Sequence, residues 1–425
     1  MVLLAALVWA ALPPPHVSSV AASPACLEAV QKNRIYEGHE GWLFESWDLA
    51  ETWEPEPWAT YVPRLVDAFA DEGVQLVVAL VPTRGMVHPE KVAVPFDADS
   101  AVAAYAQTLE MFRAAGAVAP DLLTTFVQPT EPLDALEEAA VFSTGRHWTS
   151  RGAELTARAV ASAVDQQGMY RRDVQFRSRV LGLGTYEPRL ARLLRESCDA
   201  PTVMEPLTRY DTNERIGGAS GGGLLDAKGP EVVLLGTSNS ANDRFHFHAF
   251  LEQHLGADVL NAALKGGMGF RAMDAYLRDD AWHEDRPSLV VWELRMQDAH
   301  GWPEARRQFR QVLPAVHGSC DEVPASRLDV EAGATVDLGL SGWAMGTGYL
   351  ELRAANLGFT RFDLITTHAD GEVDRVAIER TSHAPNNGLY FLEPSDRTSA
   401  AVTSVVLEAG DQGSAVEVRA CPVTP

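Results

Sequence analysis

Val232-Val233-Leu234-Leu235-Gly236-Thr237-Ser238-Asn239-Ser240 reads as a buried strand that stops at a glycine and runs into a turn carrying two serines. A continuous apolar run, unlike an alternating one, suits a strand covered on both faces, as in a parallel sheet between helices. Open α/β sheets hold their ligands at the carboxyl ends of such strands. Ser238 therefore falls at the rim of the sheet, and the helix after it favours negative charge at its N-terminus. A serine there suits a nucleophile, and equally a plain helix cap.

The same texture repeats on either side. Apolar runs at 74–81, closed by Pro82, at 257–260 and at 289–292 alternate with helical stretches at 101–114, 152–164, 247–255 and 270–277. This predicts a three-layer α/β domain with a mainly parallel sheet. After Cys320 the runs shorten and alternate, at 334–338, 349–353, 373–378, 401–407 and 415–419, with Gly, Asp, Asn and Pro between them. That pattern predicts an antiparallel β-sandwich of about 100 residues. The expected division is a leader at 1–22, the α/β domain at 23–317 and the sandwich at 318–425. The Gly-rich stretch 216–223 leads into Leu224-Leu225-Asp226 and not into the Lys-Ser/Thr of a phosphate loop, so it predicts a surface loop.

With 425 residues, 46% hydrophobic, the chain has material for two large cores. Its formal charge of −23 argues against nucleic acid and against an anionic membrane surface. Residues 2–12 are apolar, Pro13-Pro14-Pro15 breaks the run, and small residues follow. The run suits the core of a secretory signal and is too short for a membrane span, although a basic stretch before it is missing. The expected location is thus the periplasm or the exterior. The four cysteines have no metal-ligand spacing and allow three pairings. Cys26–Cys198 with Cys320–Cys421 keeps each bridge within one expected domain. No metal or cofactor is expected.

A second segment, Ser143-Thr144-Gly145-Arg146-His147-Trp148-Thr149, precedes the Ala-rich helix at 152–164. A serine is weakly nucleophilic without a neighbouring base, and a loop histidine can be that base. A lone histidine is more often structural.

Taken in order, these stretches resemble the alginate O-acetyltransferase family of AlgX and AlgJ. Gly145-Arg146-His147-Trp148 is similar to its Asp-x-His-Trp motif, and Gly236-Thr237-Ser238-Asn239-Ser240 to its Gly-Asp/Thr-Ser-x-Ser motif. Gly38-His39-Glu40-Gly41-Trp42-Leu43-Phe44, Val81-Pro82-Thr83-Arg84-Gly85, Asp258-Val259-Leu260-Asn261 to Gly266-Gly267, and Val291-Trp292-Glu293 resemble further segments. The cysteine layout and trailing β-domain look like those of the AlgX branch. The resemblance implies a permuted SGNH-hydrolase-like fold with Ser238 as acetyl-carrying nucleophile and His147 as base. It also implies a polysaccharide substrate and a membrane-bound acyltransferase as acetyl source. Oxyanion candidates are the backbone N–H groups of Ser238 and of Gly266 and Gly267, with Asn261 behind them. Arg84 and Arg244 suit sugar carboxylates or hydroxyls, or ordinary salt bridges. Trp148 suits a sugar platform or a core position.

The chain departs from the motif at Gly145, where the family has the Asp that orients the imidazole. Loss of such an acid costs a serine protease about four orders of magnitude in turnover. Three readings follow: another carboxylate substitutes, with Asp243 and Glu293 as possibilities; the pair acts as a slow dyad; or the domain only binds glycan in an assembly role. An acetylesterase is a further alternative within the same chemistry. By the resemblance, the sandwich is a carbohydrate-binding module, with Trp343, Tyr349, Phe359, Tyr390 and Phe391 as its aromatics. From Cys320 onward it carries sixteen Asp and Glu against seven Arg. That balance favours a neutral glycan over alginate unless local arginines offset it.

Overall fold

The computed structural model describes residues 12–18, 23–50, 56–129, 132–137, 139–168, 174–211, 214–216, 230–266, 269–299, 304–382 and 384–423. Most of the expected leader, the Gly-rich stretch at 217–223 and Gly267 lie outside these residues. Within 12–18, His16 bridges to Tyr36 and Val17 is buried.

Four parallel strands form the central sheet: β1 (Gln75–Val81), β2 (Val232–Leu235), β3 (Val259–Asn261) and β4 (Leu289–Arg295), in the spatial order β1-β4-β2-β3. Side chains alternate across a strand, so each apolar run feeds two cores. Leu76, Val78, Leu80, Val233, Leu235, Val290 and Trp292 face one layer; Val77, Ala79, Val232, Leu234, Leu289 and Val291 face the other. The longer helices are α1 (Pro24–Lys32), α2 (Glu56–Asp71), α3 (Ala98–Ala114), α4 (Ser150–Gln166), α5 (Arg189–Cys198), α6 (Phe247–Leu255), α7 (Gly269–Leu277) and α8 (Glu304–His317). Helices α2, α3, α7 and α8 cover the first face through residues such as Trp58, Phe112, Phe270 and Phe309. Helices α4 and α6 cover the second through Leu155, Val160, Phe247 and Phe250. The expected three-layer architecture is thus present.

The strand and helix cores match the predicted ones closely. The short strand expected at 257–260 sits slightly later, at Val259–Asn261, because Gly256 ends α6 at φ 67° and the chain needs two residues to re-enter the sheet. Helices α2 and α8 were not legible, since each carries an internal proline, Pro63 and Pro314. Both are held by packing against one face of the sheet, which outweighs the propensity penalty. Among the described residues no helix is long and apolar enough to cross a membrane.

The C-terminal part is a sandwich of two antiparallel sheets. Its strands are β5 (Ser326–Val330), β6 (Thr335–Asp337), β7 (Gly348–Ala354), β8 (Arg361–His368), β9 (Val373–Glu379), β10 (Leu389–Leu392), β11 (Val402–Ala409) and β12 (Ser414–Pro422). They pair in the orders β5-β12-β7-β10 and β6-β11-β8-β9. Trp343, Phe359 and Tyr390 fill the sandwich core, while Tyr349 and Phe391 pack into the core of the α/β domain. All five aromatics considered for glycan contact are therefore buried. Polar contacts join the two parts: Arg64 Nη1 donates to Glu393 at 2.9 Å, Arg306 pairs with Asp396 at 2.6 Å, and Arg278 Nη1 donates to Asn387 at 2.7 Å. Cys26–Cys198 and Cys320–Cys421 are disulfide-bonded. The first ties α1 to α5, and the second ties the segment after α8 to β12.

Candidate active site

Ser238 and His147, 91 residues apart in the chain, meet at the carboxyl rim of the sheet. Ser238 Oγ lies 2.8 Å from His147 Nε2. The hydroxyl comes from the turn after β2, in which Gly236, Thr237, Asn239 and Ser240 are buried and Ser238 is only half-buried. Gly236 is required by close approach: a Cβ there would lie 2.7 Å from both Glu293 Oε2 and Ser240 Oγ. The backbone N–H of Ser238 donates to nothing among the described residues, which leaves it available to an oxyanion.

The His147 loop is fastened on several sides. Glu205 accepts from the Ser143 N–H at 2.7 Å, the Thr144 N–H at 2.8 Å and the Thr144 hydroxyl at 2.6 Å. The Leu190 N–H, at the start of α5, donates to the Thr144 carbonyl at 3.0 Å. Arg146 is paired with the buried Glu45, which also accepts from Arg189 at 3.2 Å. Phe245 packs on the imidazole with ring centroids 5.3 Å apart. Thr149 then caps α4 by accepting from the Gly152 N–H.

The imidazole's other nitrogen, Nδ1, is buried without a hydrogen-bond partner. Burial, reinforced by the positive charges of Arg295, Arg146, Arg189 and Arg84, lowers the His147 pKa to about 3. The ring is thus neutral at any ordinary pH, and among the described residues no carboxylate reaches Nδ1. Neither proposed substitute takes that place. Asp243 is exposed. Glu293, fully buried on β4, accepts instead from the Thr237 N–H at 2.6 Å, the Thr237 hydroxyl at 2.9 Å, Asn239 Nδ2 at 3.3 Å and the Ser240 hydroxyl at 3.1 Å. It grips the serine turn and leaves the histidine alone.

Three of the candidate residues are engaged within the fold. Arg84 is 3% exposed and wholly engaged: it forks onto Asp48, with Nη2 2.6 Å from Oδ2, and Nη1 donates to the carbonyls of Phe142 and Ser143. Of its two expected roles the salt bridge is the one seen, and it braces the histidine loop. Trp148 is 1% exposed and packs on Phe247 at 4.7 Å, so it is core. Asn261 Nδ2 donates to the Ser240 carbonyl at 3.0 Å and Oδ1 accepts from the Ala263 N–H at 3.1 Å, which ties the end of β3 to the serine turn. Arg244 is exposed and makes no ion pair among the described residues.

Two contributors escaped the sequence reading. Asn239 joins the two loops, since its Oδ1 accepts from the Trp148 N–H at 3.4 Å while its Nδ2 donates to Glu293. Arg295, beyond the apolar part of β4, is the arginine with the largest effect on His147 and is held by Asp298 at 2.7 Å. An acid and a base in an otherwise apolar strand were the available signal.

Residues 35–296 match the family described as the SGNH hydrolase-like domain of the acetyltransferase AlgX. The chain is 28% identical over 420 residues to the alginate biosynthesis protein AlgX of Pseudomonas aeruginosa, covering 92% of this chain and 85% of that protein. It is 30% identical over 279 residues to the probable alginate O-acetylase AlgJ of the same organism, covering 60% of this chain and 68% of AlgJ. In fold it is similar to the solved structure of P. aeruginosa AlgX, with a TM-score of 0.75, 24% identity and coverage of 95% and 99% of the two chains. The O-acetyltransferase domain of Pseudomonas putida AlgJ aligns with a TM-score of 0.54 at 26% identity, covering 65% of this chain and 98% of that domain.

Proposed function

Since the chain belongs to the AlgX family of SGNH hydrolase-like domains, we propose that it is an exported polysaccharide O-acetyltransferase with Ser238 as nucleophile and His147 as base. The single observation that carries this reading is the 2.8 Å contact between the hydroxyl and the imidazole. In the first half-reaction Ser238 Oγ attacks the acetyl carbonyl of an ester-type donor while Nε2 takes the hydroxyl proton. The Ser238 N–H faces the developing oxyanion, and the donor's alcohol leaves with the proton that His147 returns. In the second, a sugar hydroxyl gives its proton to His147 and attacks the acetyl-serine, which regenerates the free serine. No metal or cofactor is part of this scheme. The acetyl source is read as a membrane-bound acyltransferase, and location outside the cytoplasm is supported by the two disulfides.

The acceptor is read as an alginate-like polysaccharide. The relatives carry alginate in their names. Residues 23–317 are taken as the transfer unit and 318–425 as a glycan-binding module; its buried aromatics mean that any sugar contact there is made by other side chains.

A non-catalytic binding or assembly role is the second reading, and the buried, unpartnered Nδ1 favours it. Intact-mass analysis after incubation with an acetyl-ester donor separates the two. An acetyl adduct mapped to Ser238 is expected, and a chain that never acylates under any donor removes the enzyme reading. Product analysis with an oligosaccharide acceptor then distinguishes transfer from simple ester hydrolysis.

A further inference from the structure

We infer that Glu293 is the positioning residue of the Ser238–His147 pair, clamping the serine turn and, through Asn239, the histidine loop into one hydrogen-bonded frame. As a statement about catalysis this rests on the serine–histidine reading above; as a statement about geometry it does not.

Glu293 continues the face of β4 occupied by Leu289 and Val291, two residues further toward the rim. A buried carboxylate in such a place is costly unless its oxygens are met by donors. Here four donors converge on it: the Thr237 N–H and hydroxyl, Asn239 Nδ2 and the Ser240 hydroxyl. All of them come from the three residues that flank Ser238. The Ser238 hydroxyl is left out of the cluster and is thereby free for His147. Asn239 spends its other end on the backbone N–H of Trp148, the residue after the imidazole. One carboxylate thus reaches both loops. Gly236 completes the arrangement, since any side chain there would strike Glu293 and Ser240.

Four donors on two oxygens suit a carboxylate better than an amide, although burial pushes the Glu293 pKa up. A glutamine would place an N–H₂ group against the converging donors and leave at least one of them buried and unpaired. The frame also matters more here than in a site with an acid on Nδ1. With Gly145 in that place, nothing at Nδ1 orients the ring, and the meeting of hydroxyl and imidazole depends on how the two loops are held.

The test compares Glu293→Gln, Glu293→Asp and Asn239→Ala with Val291→Ala, a neighbour on the same strand that removes packing and no donor. Three quantities are read: the labelling rate of Ser238 by a fluorophosphonate, kcat and KM for a chromogenic acetyl ester, and the ¹⁵N NMR shifts of the His147 ring. Folded Glu293→Gln is expected to lose labelling and kcat by about 100-fold, the cost of a misplacement near 1 Å. KM should stay within about twofold, because the residue does not touch substrate. Glu293→Asp should recover part of the loss, and Val291→Ala should label at the wild-type rate despite its lower melting temperature. Folded Glu293→Gln that labels like wild type, or Val291→Ala that loses as much, overturns the inference. If Glu293→Gln does not fold, Asn239→Ala decides: a fall of about tenfold supports the frame and an unchanged rate rejects it. Should the wild-type serine resist labelling, the proposed function fails and the NMR arm alone judges the geometry. A His147 Nε2 signal moved by Glu293→Gln upholds the clamp, and an unmoved one removes it.

Discussion

The Cβ that Gly145 lacks would stand 2.7 Å from the Cβ of Pro188 and 3.3 Å from that of Phe142. The place that the sequence resemblance assigns to an acid is therefore not an empty slot beside His147. The start of α5 has closed over it, held by the Leu190 N–H on the Thr144 carbonyl. Placing an acid here is expected to fail: Gly145→Asp should destabilise by about 1–3 kcal/mol through overpacking and should not raise acetyl-ester turnover. Thermal unfolding and a turnover assay check this. A stable Gly145→Asp protein with higher turnover would refute the close packing of Pro188 on this position.

Ser238→Ala should bring acetyl-ester turnover to background, a loss of at least about 1,000-fold, and His147→Gln should cost about 100- to 10,000-fold. Neither change should alter the fold, because Ser238 is half-buried and serves only His147. Circular dichroism confirms the fold, and site mapping of the acetyl adduct confirms the serine.

The pH profile carries the sign of the His147 shift. With its pKa lowered to about 3, the ring is neutral across the working range. The acid limb of kcat/KM should therefore lie below about pH 5 and not near the ordinary histidine value of about 6.5. Stability moves the other way from a histidine that gains a charged partner. Between about 6.5 and 3 the unfolded chain binds a proton that the folded chain refuses, so stability falls as pH drops through that window. The loss reaches up to about 2 kcal/mol at pH 5. Denaturant titrations of wild type and His147→Gln at pH 7 and pH 5 measure it: the wild type should lose more than the variant.

Arg84 and Arg244 should behave oppositely. Arg84→Ala leaves Asp48 buried without its cation and is expected to cost about 3–5 kcal/mol, with any surviving folded protein unchanged in KM. Arg244→Ala should stay within about 0.5 kcal/mol of wild type and raise KM for an anionic oligosaccharide acceptor, the more so at low salt. An Arg244→Ala protein with unchanged KM at low ionic strength would exclude Arg244 from the acceptor site.

How far the local sequence could be read follows from the range of the interactions involved. The strand β2, its stop at Gly236 and the exposed Ser238 depend on near neighbours: a continuous apolar run, a glycine and a turn. The same holds for α4 with its Thr149 cap and for α6 with its Gly256 stop. Strand β8 was missed although it alternates, because polar residues on its outer face thin the apolar signal to every second position. Helices with an internal proline were missed because tertiary packing holds them in place.

Side-chain roles depend on partners that the local sequence does not hold. Arg84, Trp148 and Asn261 stand beside the motifs, where a ligand contact and a packing role fit the local pattern equally. In the folded chain, Arg84 is absorbed by Asp48, Trp148 by Phe247 and Asn261 by the Ser240 carbonyl. Each partner comes from elsewhere in the chain, so no local pattern announces it.

By itself the sequence determined the three layers, the parallel sheet, the trailing sandwich, and the two loops that carry Ser238 and His147, since periodicity and turn chemistry act over a few residues. Only the tertiary structure decided that the two loops touch, that the imidazole is neutral among four arginines, and that Pro188 occupies the space an acid at 145 would need. Those outcomes depend on distances between residues remote in the chain and on which charges share a water-poor volume, and both exist only once the layers have packed.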